Sequence, residues 1–160
     1  MSKALVASFS CNGATERLAE ALAAAVGADT HRIEPAVPYT TADLDWHDPG
    51  SRSSVEMRDP SSRPQIAGPS IDIGQYETLY LGSPIWWGLP PTIVNTFLES
   101  HDFSGKTVVP FVTSGSSGVG ETDQRLRASC SNQTTLAPAV RLANDTTTRE
   151  LRRRAHGTAA

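Results

Sequence analysis

Two cysteines in 160 residues supply at most one disulfide, which excludes a scaffold built on cross-links. No apolar run approaches the ~20 residues of a membrane-spanning helix. The first residues lack the basic flank and apolar core of a secretion signal, so a cytoplasmic protein with no membrane partner is expected. The chain also lacks a strong charge of either sign. Seventeen acidic and 14 basic residues give a formal charge of −3, which offers no electrostatic footprint for nucleic acid. The one basic cluster, Arg149 with Arg152, Arg153 and Arg154, suits the solvated face and last turn of a helix. No Gly-Lys-Ser/Thr sequence is present, which removes a Walker A loop, and no Gly-x-Gly-x-x-Gly opens a dinucleotide fold. Glu34 sits about where a ribose-binding acid would fall, but without those glycines it reads as a surface residue. No metal site is expected.

What the chain does have is alternation. Residues 3–9 read as a short apolar strand, and from Thr15 to Val26 the apolar period becomes helical, with Gly27 as its stop. A strand is expected at 31–37. Residues 38–70 hold seven prolines and glycines among Asp, Ser and Arg, an irregular excursion with room for a short helix. Trp46, Val55 and Met57 suggest that part of it docks on the body. A strand at 78–81, a helix over 93–98 started by Pro90 or Pro91, a strand at 107–112, a helix at 121–129 and a strand at 137–142 follow. Thr147-Thr148-Arg149-Glu150 has capping-box spacing and opens a final helix. This order predicts one α/β domain over 1–160: a three-layer sandwich with a doubly wound, five-stranded parallel sheet. Ligands then bind beyond the carboxyl ends of the strands, where strand order reverses.

Three segments follow strands and can converge there. The first, Ser8-Phe9-Ser10-Cys11-Asn12-Gly13-Ala14-Thr15, joins hydroxyls and a glycine to the start of a helix, a setting that holds phosphate with backbone amides. The plainer alternative is a strand-helix turn capped by Thr15. A third alternative is chemical. Cys11 and Arg17 have the Cys-x5-Arg spacing of phosphatase loops and resemble low-molecular-weight tyrosine phosphatases and arsenate reductases. That chemistry needs a thiolate nucleophile, a phosphate-binding arginine and an acid. Glu16 would oppose a dianion, Leu18 replaces the usual hydroxyl, and the Asp-Pro pairs fall in the excursion.

The second segment is Gly82-Ser83-Pro84-Ile85-Trp86-Trp87-Gly88. Adjacent tryptophans point in different directions, so one is expected near the surface, free to line or stack on a ligand. The third, Ser114-Gly115-Ser116-Ser117-Gly118, offers amides with little bulk and suits the polar edge of a heterocycle, or serves as a connector. A phosphorylated, flat, aromatic ligand fits all three.

With these three loops in order, the chain resembles the flavodoxin-like superfamily, and within it the small bacterial flavodoxins. Pro90-Pro91, the helix after them and Phe103-Ser104-Gly105-Lys106 continue the likeness. The resemblance implies FMN. Ser10, Asn12, Gly13, Ala14 and Thr15 would hold its phosphate. Pro84, Ile85, Trp86, Trp87 and Gly88 would lie along the ribityl chain and ring, with a backbone carbonyl of the Trp86–Gly88 turn near N5. Ser114, Gly115 and Gly118 would approach the pyrimidine side. No residue is then needed as acid, base or nucleophile. The implied role is carrying electrons between redox partners, a protein or a small-molecule acceptor. The alternative is an NAD(P)H-dependent FMN reductase acting on quinones or similar acceptors. In that case the excursion covers the flavin, and Tyr39, Trp46, His47 and Arg58 are candidates for a substrate site. A charge of −3 is weak for steering toward basic partners.

Overall fold

The computed structural model describes residues 3–11, 13–68, 71–113 and 119–142. Asn12, Ser114, Gly115, Gly118 and the helix expected from Thr147 lie outside them. The strands are β1 (Lys3–Ser8), β2 (Asp29–Arg32), β3 (Tyr76–Pro84), β4 (Thr107–Thr113), β5 (Thr135–Leu136) and β6 (Val140–Leu142); the helices are α1 (Ala14–Val26), α2 (Arg52–Arg58), α3 (Thr92–Glu99) and α4 (Thr122–Arg127). All pairings are parallel, in the order β2-β1-β3-β4-β5, and β6 also pairs with β4. Thr107 faces Thr135 and Phe111 faces Val140, so β5 and β6 are two pieces of one outer strand. Pro138, which has no amide hydrogen, falls in the break, and the amide of Ala139 donates instead to Asp123 Oδ1 at 2.8 Å. The result is the five-stranded, doubly wound sheet that the alternation predicts.

Alternate residues of each strand feed opposite layers. Leu5 and Ala7 of β1 pack with Leu79, Leu81, Ile93, Val94 and Phe97 on the α3 side. Val6 packs with Leu18, Ala19, Leu22, Tyr80 and Phe111 on the α1 side. A fully buried Leu or Phe contributes about 1.5–3 kcal/mol, so these two slabs hold the strand ends in fixed relation. Gly82 is the tightest point of the sheet. A Cβ there would lie 2.2 Å from the ring of Phe111, its partner on β4, so a side chain at this position would displace that ring from the α1-side layer.

Three elements differ from expectation: the strand expected at 137–142 is split into Thr135–Leu136 and Val140–Leu142 around Pro138, and two others are shifted or shortened. The second strand is Asp29–Arg32 rather than 31–37. Its register is set by pairing Leu5 with Asp29 and Ser8 with Arg32, and the Ile33 amide closes on the Ser8 carbonyl at 2.7 Å. Pro35 instead makes an isolated antiparallel bridge with Ile66. The helix expected over 121–129 is shorter, Thr122–Arg127.

The excursion contains the short helix α2, capped by Ser51, whose side chain accepts from the Ser54 amide. Met57 is buried, while Trp46 and Val55 are 65% and 49% exposed, so docking rests on Met57 and the small serines. A polar lock adds to it. The Arg52 guanidinium lies 3.8 Å over the Tyr39 ring. Its Nε pairs with Glu56 Oε2 at 3.0 Å, and the Tyr39 hydroxyl donates to Glu56 Oε1 at 2.5 Å. Burial and that bond push the Tyr39 hydroxyl well above its ordinary pKa, so it stays a donor.

Candidate functional site

The carboxyl ends of β1, β3 and β4 meet at one edge of the sheet. Beyond β1 the chain turns at Gly13, whose φ of 89° makes it a left-handed N-cap of α1 with no side-chain cap. That corrects the alternative in which Thr15 caps the helix. The turn is pinned by the Gly13 amide, which donates to Ser10 Oγ at 3.0 Å, and by the Phe9 amide, which donates to the Gly82 carbonyl at 3.0 Å. Thr15 is buried at 1% exposure, and its hydroxyl meets that of Thr113 at 2.7 Å. Glu16, in the first turn, pairs with Arg32 at 3.0 Å, so its charge is balanced from β2 rather than left facing an anion.

After β3 the chain makes a two-residue hairpin. Trp86 and Leu89 exchange backbone hydrogen bonds of 2.7 and 3.0 Å, and φ is positive at both residues between them, 51° at Trp87 and 77° at Gly88. That is a type I′ turn, which ordinarily takes Asn-Gly or Gly-Gly. Among the described residues Trp87 is the one non-glycine with positive φ, at a cost of about 1–2 kcal/mol. The turn is braced from α4: the Glu121 amide donates to the Gly88 carbonyl at 3.0 Å. A Cβ on Gly120 would lie 2.1 Å from that same carbonyl oxygen. The Trp87 carbonyl has no hydrogen-bond partner among the described residues.

The two tryptophans divide as the sequence implies. Trp86 turns inward, edge-on to Phe9 at 6.1 Å and to Tyr39 at 5.8 Å between ring centroids. Trp87 is 53% exposed and lines a cleft of about 430 Å³ with Cys11, Leu44, Trp46, Ser53 and Ile85. Pro84 and Trp86 complete this largely apolar wall. Ser53 is buried, yet its hydroxyl has no partner among the described residues, an arrangement that costs free energy unless a ligand completes it. A second cleft of about 320 Å³ lies on the β2 side of the first loop, where apolar residues such as Phe9, Ile33 and Tyr39 are joined by the charged Glu16, Arg32 and Glu34. A neutral flat ring belongs in the former.

The structure brings together Ser10, Gly13, Ala14 and Thr15 on one side and Pro84, Ile85, Trp86, Trp87 and Gly88 on the other. Sequence reasoning missed Leu44 and Ser53 of the excursion and Thr113 at the end of β4. The serine-rich start of α2 was the available signal for Ser53. The phosphatase reading loses its chemistry. Desolvation by the surrounding protein raises the Cys11 thiol from 9.0 to about 11, with Arg52 opposing the rise and Glu56 adding to it; the residue is exposed at the surface, and neither its ordinary nor its raised value gives a thiolate near neutrality. Arg17 is exposed on α1. Among the described residues no cluster of three His, Cys, Asp or Glu side chains suits a metal ion.

A glycine turn at a helix start, beside an apolar cleft with an aromatic tip and an orphaned hydroxyl, places this chain among α/β proteins whose strand ends suit a phosphorylated planar ligand. A family model described as flavodoxin matches residues 3–155, and the chain belongs to that family. The crystal structure of a protein assigned as a flavoprotein from Bacteroides eggerthii is 48% identical with a TM-score of 0.92, covering 100% of this chain and 99% of that one. A second protein so assigned, from Bacteroides uniformis, is 43% identical with a TM-score of 0.91, covering 97% and 98%. A flavoprotein in complex with FMN from Lactobacillus acidophilus, 18% identical over the whole of both chains with a TM-score of 0.71, shares the fold. No curated protein matches. The residues gathered at the strand ends fit FMN, the cofactor that the Lactobacillus acidophilus protein holds. No described helix is long and apolar enough to cross a membrane.

Proposed function

We propose that one FMN lies across the ends of β1, β3 and β4 and that the chain carries electrons between redox partners. The Ser10–Thr15 turn holds the phosphate, with Asn12 among its donors. Trp87 lies against the ring, Pro84, Ile85, Trp86 and Gly88 shape the wall along it, and the Ser53 hydroxyl meets a polar edge. Ser114, Gly115 and Gly118 approach the pyrimidine side. The observation that carries this reading is the type I′ turn, which spends backbone strain to present an exposed indole and an unpartnered carbonyl beside the cleft. Strain of that kind is retained where function needs the geometry.

FMN supplies the electron chemistry when bound. The chain's own work is to bind, orient and screen. The Trp87 carbonyl would accept a hydrogen bond from a protonated ring nitrogen of the cofactor, which would favour its reduced forms. The apolar wall limits water at the ring. A single domain over 1–160 and a cytoplasmic location belong to the same reading, supported by two unpaired thiols, Cys11 and Cys130.

The test begins with FMN titration followed by flavin absorbance and thermal shift, since a ligand that binds only the folded state raises apparent stability. The holoprotein is then mixed anaerobically with NADH or NADPH. A carrier is not bleached by either within minutes but is reduced by dithionite. Rapid bleaching by a nicotinamide would replace the carrier with a reductase, a reading favoured by the excursion residues Leu44, Trp46 and Ser53 that help line the cleft. Saturating FMN with neither bound chromophore nor stabilisation would remove both.

A further inference from the structure

Adjoining the cofactor cleft at Trp46 and Trp87 is another cavity of about 330 Å³. It is lined by those two indoles with Pro49, Ser54, Met57 and Arg58. The two cavities thus share an indole wall. We propose that this neighbouring cavity is a subsite for a planar aromatic anion, held beside the cofactor; the inference rests on the placement of FMN given above.

Three observations carry it. First, both indoles remain exposed, Trp46 at 65% and Trp87 at 53%, although each has a large apolar surface that the fold could have buried. Trp46 is held in place by the His47 ring, whose centroid lies 3.7 Å away at 30° between planes. Second, the floor is firm. Met57 and Ser54 are buried members of α2, and Ser54 Oγ donates to the Asp48 carbonyl at 2.8 Å. Third, the rim carries a cation without a partner. The Arg58 side chain makes no ion pair or hydrogen bond among the described residues. The other arginine of this helix, Arg52, is consumed by Glu56, Asp43 and the Val37 carbonyl. Aromatic walls reward a flat ring, and a free guanidinium matches a carboxylate, sulfonate or phenolate through paired donors. Tyr39, the remaining aromatic residue of the excursion, is turned away into the Phe9–Trp86 cluster and takes no part.

The probe is naphthalene-2-sulfonate, with the neutral naphthalene-2-sulfonamide as its isostere. Each is titrated into oxidised holoprotein, followed by tryptophan fluorescence and flavin absorbance. The sulfonate binds more tightly than the sulfonamide. Arg58→Gln weakens the sulfonate about tenfold, the loss expected for one charge-assisted contact, and leaves the sulfonamide within about twofold. FMN affinity in Arg58→Gln stays within about twofold. Trp46→Ala weakens both probes, and Trp46→Phe restores most of the loss. Equal binding of the two probes, no binding of either, or indifference to Arg58→Gln would overturn the subsite. So would displacement of FMN by the probe, which would put it in the cofactor cleft instead. Failure of FMN itself to bind is a separate result, read by absorbance before any probe is added. The same titrations on the apoprotein then decide the subsite, because its walls are protein side chains.

Discussion

The hydroxyls of Thr15 and Thr113, 98 residues apart in sequence, lie 2.7 Å from each other inside the protein. One sits in the first turn of α1 and the other closes β4, so a single hydrogen bond fastens the phosphate turn to the strand that leads into the third loop. Each hydroxyl has one proton. If Thr15 donates to a phosphate, Thr113 must donate to Thr15. Thr15→Val then removes the phosphate donor and strands Thr113, whereas Thr113→Val leaves Thr15 free to donate. Both substitutions lower stability, by about 1–3 kcal/mol for a buried group left unpaired. Only Thr15→Val lowers FMN affinity by about tenfold or more while leaving riboflavin affinity unchanged. Chemical denaturation and parallel FMN and riboflavin titrations read the two effects apart. Equal weakening for both ligands would move Thr15 away from the phosphate.

Trp87 separates strain from binding. Glycine accepts its φ of 51° freely and alanine does not. Trp87→Gly is therefore more stable than Trp87→Ala by about 1 kcal/mol, while the two lose FMN affinity alike. Trp86→Ala behaves differently. It opens a hole against Phe9 and Tyr39 and costs about 2 kcal/mol before any ligand is added. Urea unfolding of the three apoproteins, followed by FMN titration, makes the comparison. Wild-type affinity and flavin spectrum in both Trp87 variants would reduce the turn to a structural device.

The orphaned Ser53 hydroxyl predicts an inverted pair of effects. Ser53→Ala removes an unsatisfied buried group, so apoprotein stability is unchanged or rises by up to about 1 kcal/mol. FMN binding weakens several-fold, because a contact completed only by the ligand is lost. A fall in apoprotein stability together with unchanged FMN affinity would show that Ser53 serves the fold and not the cofactor.

Cys11 predicts a pH dependence. With its pKa raised to about 11, alkylation by iodoacetamide in the folded protein is slow at neutral pH and climbs toward pH 11. A thiol at its ordinary value would level off near 9. The sign for stability follows. The folded state favours the protonated thiol, so this contribution is complete below the unfolded pKa near 9 and is lost as pH rises through 11. Cys11→Ser leaves FMN binding and flavin reduction intact, and the wild type releases no phosphate from an aryl phosphate. Cysteine-dependent release would restore the phosphatase chemistry.

The parts of the fold driven by burial were legible in the sequence. β1, β3 and β4 are apolar runs because both faces of a parallel strand are covered, and α1 declares itself by period and alanine. β2 was misplaced for the opposite reason. Asp29-Thr30-His31-Arg32 is an edge strand with little burial, so pairing with β1 rather than composition defines it, while the apolar Ile33–Val37 stretch that drew the expectation is broken at Pro35. The site shows the same division. Gly13 and the tryptophan pair stand out by residue type. The type I′ turn does not, because its first central residue carries none of the usual turn chemistry. The Thr15–Thr113 link and the Ser53 orphan depend on elements distant in sequence and become visible only when the sheet is assembled. The Arg52–Glu56 pair had a signal, its i,i+4 spacing, although nothing local shows that Tyr39 completes the lock.

The outer strand broken at Ala137-Pro138-Ala139 bears on how these molecules behave when crowded. A continuous strand at the margin of a parallel sheet presents a row of donors and acceptors on which another chain can add itself. Here that row is interrupted: one position has no amide hydrogen, and the next amide is already given to Asp123. At this margin a neighbouring molecule finds no long uninterrupted run of backbone to zip onto, and the opposite edge, β2, is only four residues long. The fold can thus hold an exposed, adhesive pair of indoles at its ligand edge and still keep its flank unreceptive to sheet-to-sheet growth. Self-association at high concentration is expected to proceed through the tryptophans and to yield to added ligand, rather than through the strands and into fibres.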